Sequence, residues 1–256
     1  MTHGMDEGRA AATVVIVRDR ADNAPEFLMM ERASTMAFAP GALVFPGGAV
    51  DPADRELAAA IGGDLHLDEA SARVAAIRET LEECGLGIGL TGDLDMAILS
   101  HIRAALASGE GLGPLLDRFD VGVDLNALVP FARWHPGGAE AARRVYDTRF
   151  YLARAPEGQE PSVDATENVR LFWSGSAATL ARSDAGEVHV IFPTRRNLER
   201  LGLFTSLASL TDHALSTPID KVRPWIEERE GEPYLCIPDH LGYPVTAEAL
   251  RTVKRG

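Results

Sequence analysis

Residues 78–86 read RETLEECGL, and this stretch says more about the fold than any other part of the chain. Carboxylates stand here at positions i, i+3 and i+4, a spacing that places all of them on one face of a helix. They belong to Glu79, Glu82 and Glu83. We expect the helix to run from an N-cap at Asp68 to about Cys84, because Gly85 follows in the position where helices commonly stop.

The acidic face of this helix predicts a cation site. Carboxylates at these spacings repel one another, and those in the last turn also meet the negative end of the helix dipole, at about 0.3–1 kcal/mol each when exposed. A solvated acidic face is the alternative, but it usually carries Lys or Arg four residues on, whereas positions 86 and 87 are Leu and Gly. Because Mg²⁺ and Mn²⁺ prefer oxygen ligands, the sequence predicts that Glu79, Glu82 and Glu83 bind one of these ions.

A glycine and proline loop precedes the helix. Residues 44–48 read VFPGG, which is typical of a strand entering a tight turn whose backbone approaches another group closely. Further strands are predicted at 13–17, 27–30, 42–45, 128–134, 148–152 and 169–173, and further helices at 56–61, 96–106 and 197–208. This mixed order indicates an α/β or α+β architecture.

Together, RETLEECGL and VFPGG resemble the Nudix box, whose consensus is Gly, five residues, Glu, seven residues, then Arg-Glu-apolar-x-Glu-Glu-x-Gly-apolar. Asp51 and Asp54 follow Gly48 in the region where the family often has Glu. Asp54 precedes Arg78 by 24 positions where the consensus has 8, so the box is 16 residues longer, and a Thr replaces the usual apolar residue. Both departures are similar to the coenzyme A diphosphatase-like Nudix proteins of the peroxisomal type.

The resemblance implies a fold and an activity. The expected fold is an α/β Nudix-type α/β/α sandwich with a mixed β-sheet, an insertion within the box and a C-terminal helical extension. Residues 10–205 would form the Nudix domain, and 206–256 an extension packed on it. The expected reaction is metal-dependent hydrolysis of the pyrophosphate bond of a nucleoside diphosphate derivative, with coenzyme A or acyl-coenzyme A as the first substrate. ADP-ribose or NADH is an alternative, as is a non-catalytic nucleotide-sensing domain.

Several residues receive roles through this resemblance. Glu167 joins the three box glutamates as a catalytic candidate near the metal, with a plain loop carboxylate as the alternative. Gly47 and Gly48 are assigned to substrate binding. Arg78 is grouped with them, although we favour an orienting role, in which it ties down a box carboxylate.

Basic residues outside the helix are needed if the ligand carries a further phosphate. Arg32 is a candidate for phosphate or adenine binding because guanidinium groups suit phosphate oxygens, and an exposed salt-bridging arginine is the alternative. For the third phosphate of coenzyme A the candidates are Arg32 and the pair Arg143 and Arg144.

Net charge and cysteine content indicate which partners and which cellular compartment to expect. Lys and Arg total 25 against 38 Asp and Glu, so the net charge of −13 disfavours nucleic acid and anionic lipid. Two cysteines are too few for a disulfide framework. We therefore expect a cytoplasmic protein that binds a small-molecule nucleotide, no nucleic acid and no membrane, and we leave a homodimer open.

Overall fold

The structure is a computed structural model that describes residues 8–21, 23–35, 39–135, 145–163 and 168–253. Its helices are α1 (Pro52–Ile61), α2 (Leu67–Cys84), α3 (Met96–Ala107), α4 (Leu112–Phe119), α5 (Ser176–Asp184), α6 (Phe192–Leu201) and α7 (Leu207–Ser216). Its strands are β1 (Arg9–Arg20), β2 (Asn23–Arg32), β3 (Ala42–Val44), β4 (Gly47–Ala49), β5 (Leu90–Thr91), β6 (Gly122–Val123), β7 (Val129–Trp134), β8 (Tyr146–Arg154), β9 (Asn168–Ser174), β10 (His189–Val190), β11 (Lys221–Val222), β12 (Trp225–Arg229), β13 (Glu232–Cys236) and β14 (Ala247–Ala249).

A mixed nine-stranded sheet forms the centre of the fold. Its strand order is β10-β3-β2-β1-β8-β7-β11, with β4 paired to β1 and β9 paired to β2. The strands β1 and β8 run parallel over their length, whereas β2 and β4 pair with β1 in the antiparallel direction. In this way β1 joins the loop at Gly47 directly to the middle of the sheet.

Helices cover both faces of this sheet. Alternate residues of β1 point to opposite faces, so Val14 and Ile16 enter one core while Val15 and Val17 enter the other. The first core also contains residues of α1, α2, α3 and α4, and the second contains residues of α6 and α7. The predicted α/β/α sandwich is therefore confirmed.

The helix that carries the three glutamates is α2. Its N-cap is His66 and not Asp68, because the His66 ring nitrogen Nδ1 accepts a hydrogen bond from the Asp68 N–H at 3.3 Å. The side chain of Asp68 instead forms an ion pair with Arg55 at 2.7 Å. At the other end, Gly85 adopts the left-handed conformation (φ +70°) that ends the helix, as predicted.

The helix of the box insertion is longer and more buried than the predicted 56–61. It begins at Pro52, a residue suited to the first turn because its ring presets φ and it lacks an N–H. Asp54 and Ala58 of α1 are buried, and Ala58 belongs to the core that also holds residues of α2. Most of the solvent-exposed residues of α1 lie away from the side of the helix that carries Asp54 and Ala58.

Beyond α5, one expectation was wrong and another was right only in part. A single helix over 197–208 does not form, because α6 ends at Leu201 with Gly202 as its C-cap, and Ser206 caps a separate helix α7 through a bond from the Ser209 N–H at 3.2 Å. Within the described residues of the extension 206–256, which was predicted to be helical, α7 is a helix but β12, β13 and β14 form a small antiparallel sheet. Glu230 and Gly231 both have positive φ, as a tight two-residue hairpin turn requires.

The C-terminal extension contacts the rest of the chain through the second core. Ile237, Leu241 and Tyr243 are buried there, and β11 pairs in parallel with β7. Within the described residues, no helix is both long enough and apolar enough to cross a bilayer.

Candidate active site

The carboxylates of α2 meet the loop at Gly47 and Gly48. The Gly47 N–H donates to Glu83 Oε2 at 2.7 Å. A Cβ on Gly48 would lie 2.2–2.6 Å from the carboxylate atoms of Glu79, and a Cβ on Gly47 would lie 2.2 Å from the carbonyl oxygen of Ala12. Position 47 therefore needs glycine to pack against the main chain of β1, whereas a side chain at position 48 would displace the carboxylate of Glu79.

The guanidinium of Arg78 contacts the carboxylates of the acidic cluster. Its Nε and Nη2 donate to the two oxygens of Asp54 at 2.8 and 2.9 Å, and Nη2 also donates to the Ala49 carbonyl at 3.0 Å. The remaining nitrogen, Nη1, lies 2.8 Å from Glu82 Oε2 and 3.0 Å from Glu79 Oε1. Because each guanidinium nitrogen contacts a protein oxygen, the arrangement agrees with the orienting role and leaves little of Arg78 for a substrate.

Burial shifts the pKa values of the carboxylates in this cluster. Desolvation raises the pKa of Glu79 to about 7, against the opposing attraction of Arg78. The pKa of Glu82 is also raised by burial. Although burial opposes it, the bonds to Asp54 and the nearby carboxylates raise the pKa of Arg78 above its ordinary value. The site thus concentrates more negative charge than its own arginine neutralises.

The donor set suits a hard divalent cation. In the ranges described, no group of three or more His, Cys, Asp or Glu side chains is arranged as a ready metal site. Arg78 instead forms ion pairs with Glu79 and Glu82, and the Gly47 N–H donates to Glu83. All three side chains nevertheless place carboxylate oxygens at one end of α2, where negative charge exceeds positive charge. Mg²⁺ and Mn²⁺ prefer such oxygen ligands.

Comparison with known proteins agrees with this geometry. The family model described as NUDIX domain matches residues 8–103. The crystal structure of a NUDIX hydrolase from Alicyclobacillus acidocaldarius has a TM-score of 0.71 and 29% sequence identity, and the match covers 82% of this chain and 97% of that one. The chain contains a Nudix domain. Its box runs from the loop at Gly47 through α1 to the end of α2.

Curated relatives of the chain include the Acyl-coenzyme A diphosphatase NUDT19 of Gallus gallus, which is 27% identical over an alignment that covers 78% of this chain and 67% of that protein. Putative nudix hydrolase 7 of Caenorhabditis elegans is 36% identical over 78 residues, or 30% of this chain and 22% of that protein.

The remaining candidates lie outside this cluster or outside the described residues. Arg32 lies at the end of β2, opposite Asn168 of β9, and its Nε is buried without a hydrogen-bond partner in the part of the chain that the structure describes. Its substrate role stays a prediction. Glu167, Arg143 and Arg144 lie outside the described residues, so their assigned roles also stay predictions.

Two residues at the site were not found by sequence reasoning, and the role of a third was not predicted. The box resemblance only suggested Asp54 as a replacement for a family glutamate, and the structure identifies it as the buried partner of Arg78. Arg103 donates to the carbonyl oxygen of Glu82, and the Ser162 N–H donates to that of Cys84, both at the end of α2. Arg103 and Ser162 lie 25 and 84 residues away from Arg78, and no local pattern marks them.

Proposed function

We propose that the protein is a Nudix hydrolase that cleaves the pyrophosphate bond of a nucleoside diphosphate derivative, using Mg²⁺ or Mn²⁺ bound by Glu79, Glu82 and Glu83. The observation that carries the proposal is the gathering of these carboxylates around one buried guanidinium and against the glycines of the loop, Gly47 and Gly48. All the box glutamates are present, which argues against a non-catalytic nucleotide-sensing domain.

In this reaction the protein mainly positions groups. A bound divalent ion would supply charge neutralisation of the pyrophosphate and a more acidic water. Asp54 fixes the guanidinium of Arg78, which in turn orients Glu79 and Glu82. The Gly47 N–H orients Glu83, so the carboxylates are constrained from two sides before a ligand arrives.

Coenzyme A or an acyl-coenzyme A is the first substrate that we propose. Similarity to the chicken acyl-coenzyme A diphosphatase over 78% of this chain supports it, together with the lengthened box. The box residues themselves do not choose between this substrate and ADP-ribose or NADH, because the leaving group is bound elsewhere. A third phosphate needs a cation away from α2, and Arg32, whose buried Nε has no hydrogen-bond partner among the described residues, is our candidate.

The metal site is tested by replacing Glu82 and Glu83 with Gln and measuring Mn²⁺ binding by titration calorimetry. We expect binding and hydrolysis to be lost while the melting temperature shows a folded protein. The matched control replaces Glu227 and Glu228 of the exposed strand β12 with Gln and should bind Mn²⁺ normally. Undiminished binding in the box variant would refute the site.

The substrate is tested separately with wild-type protein and Mg²⁺ or Mn²⁺. We expect coenzyme A to give 3′-phosphoadenosine 5′-phosphate and 4′-phosphopantetheine, identified by mass spectrometry. If kcat/KM for ADP-ribose or NADH is at least as high as for coenzyme A, the substrate assignment fails while pyrophosphate hydrolysis stands.

A further inference from the structure

The last turn of α2 is held by an arginine from the next helix. Arg103 of α3 donates from Nε to the carbonyl oxygen of Glu82 at 2.8 Å and from Nη2 to that of Glu83 at 3.1 Å. The same guanidinium donates to Ser162 Oγ at 2.7 Å and to the Ser162 carbonyl oxygen at 2.9 Å. One side chain therefore joins three separate segments.

The segment 159–162 is tied to the end of α2 by its own hydrogen bonds as well. The Ser162 N–H donates to the Cys84 carbonyl at 2.9 Å, and Gln159 Oε1 accepts from the Gly87 N–H at 2.8 Å. A Cβ on Gly85 would lie 3.0 Å from both Arg103 Nη1 and Ser162 Oγ, so the helix stop is packed against this junction.

Such a junction has a physical purpose at this position. The last carbonyl groups of a helix lack partners within the helix, and they carry its negative partial charge. Here the same residues also bear the acidic side chains of the site. A planar guanidinium can bond several of these oxygens at once and fix their orientation, which a lysine ammonium on a flexible stem does less well.

We propose that Arg103 is a positioning residue for the hydrolysis. It acts through the main chain of Glu82 and Glu83, and so sets where their carboxylates stand relative to the Gly47 loop. This inference rests on the proposed function. Its distinguishing consequence concerns cation affinity: loss of a nearby positive charge would by itself strengthen Mn²⁺ binding, whereas loss of positioning weakens it.

The test compares Arg103→Met, Arg103→Lys and Ser162→Ala with the wild type. We expect Arg103→Met to lower kcat by about 10- to 100-fold with little change in substrate KM, since small misplacements of reacting groups have effects of this size. Mn²⁺ binding should weaken. Arg103→Lys, which keeps the charge, should recover only part of kcat, and Ser162→Ala should have the smallest effect.

Folding is checked by thermal melting, and all assays are run well below the lowest melting temperature. If Arg103→Met does not fold, the lysine and Ser162→Ala variants keep the test. The matched control is Arg118→Met on α4, because Arg118 forms an exposed ion pair with Glu110. It should leave kcat and Mn²⁺ affinity unchanged.

Three outcomes would overturn the proposal: a folded Arg103→Met variant with kcat within about twofold of wild type, Mn²⁺ binding that is unchanged or stronger, or full recovery of kcat by lysine. Failure of the proposed function has a different signature. If the wild type hydrolyses no nucleotide derivative, the role in hydrolysis fails with the proposed function, and the Mn²⁺ affinities of the variants still decide whether Arg103 positions the carboxylates. If the wild type binds no Mn²⁺, both proposals fail.

Discussion

Replacing Arg78 with Gln should destabilise the protein by about 3–5 kcal/mol, the usual cost of breaking a buried ion pair on one side. Its main partner is Asp54, whose side chain is only 1% exposed and bonds the guanidinium through both oxygens. Without Arg78 that carboxylate stays buried with its strongest partner gone. The loss corresponds to a fall in melting temperature of roughly 6–20 °C for a chain of this size.

Asp54→Asn should cost less, about 1–3 kcal/mol, because Arg78 keeps its contacts with Glu79 and Glu82. The double variant removes both charges, so its destabilisation should be smaller than the sum of the two single values by about 1–3 kcal/mol. This coupling measures the buried pair itself.

The assay is urea unfolding at pH 7.5 without divalent ions, followed by fluorescence and circular dichroism. The control variant Arg118→Gln breaks an exposed pair and should change the free energy of unfolding by less than about 1 kcal/mol. The reasoning is refuted if Arg78→Gln also lies within about 1 kcal/mol of wild type, or if the two single effects simply add.

Three further predictions test particular contacts. Gly48→Ala places a Cβ 2.2–2.6 Å from the carboxylate of Glu79. Because this flexible side chain should move, we expect a folded protein with at least about tenfold lower kcat. The control Gly113→Ala meets only ordinary packing distances and should keep its activity. Desolvation opposes ionisation of Asp147, but hydrogen bonds from Arg133 and Lys221 outweigh it and lower the pKa to about 2. Asp147→Asn should therefore cost about 1 kcal/mol at pH 7, after allowance for solvent screening of this partly solvated group. The difference should disappear as pH falls from about 4 to 2 in acid-denaturation curves, and a pH-independent difference would contradict it. Burial lowers the pKa of His213 below 6.5, so wild-type stability should fall more than that of His213→Gln between pH 7 and 5, and parallel urea midpoints would rule this out.

The parts of this protein that its sequence determined are those carried by local pattern. The glutamates of α2, the glycine that ends the helix and the VFPGG loop lie within short windows, and helix or strand geometry follows directly from such spacing. Conformational requirements are local too: Gly85 is needed because φ is +70° there. For this reason the box helix, the sheet strands and the fold class could be predicted.

The N-cap residue of α2 could not be predicted from local pattern, because neighbouring residues compete for this position. Both His66 and Asp68 can accept from a helix N–H, and the tertiary contact between Asp68 and Arg55 leaves the cap to His66. The division between α6 and α7 is similar, since a glycine alone does not end a helix unless other residues stabilise the break. Here Ser206 does so.

Only the tertiary structure decided which groups became partners across long stretches of chain. Asp54 reaches Arg78 because α1 folds back onto α2, and Arg103 reaches the last turn of α2 because α3 packs beside it. The spacing of residues along the chain does not predict such contacts, because segments of different lengths separate the residues that meet. A local pattern constrains dihedral angles and faces, whereas the identity of a buried charge's partner depends on how separate elements pack together.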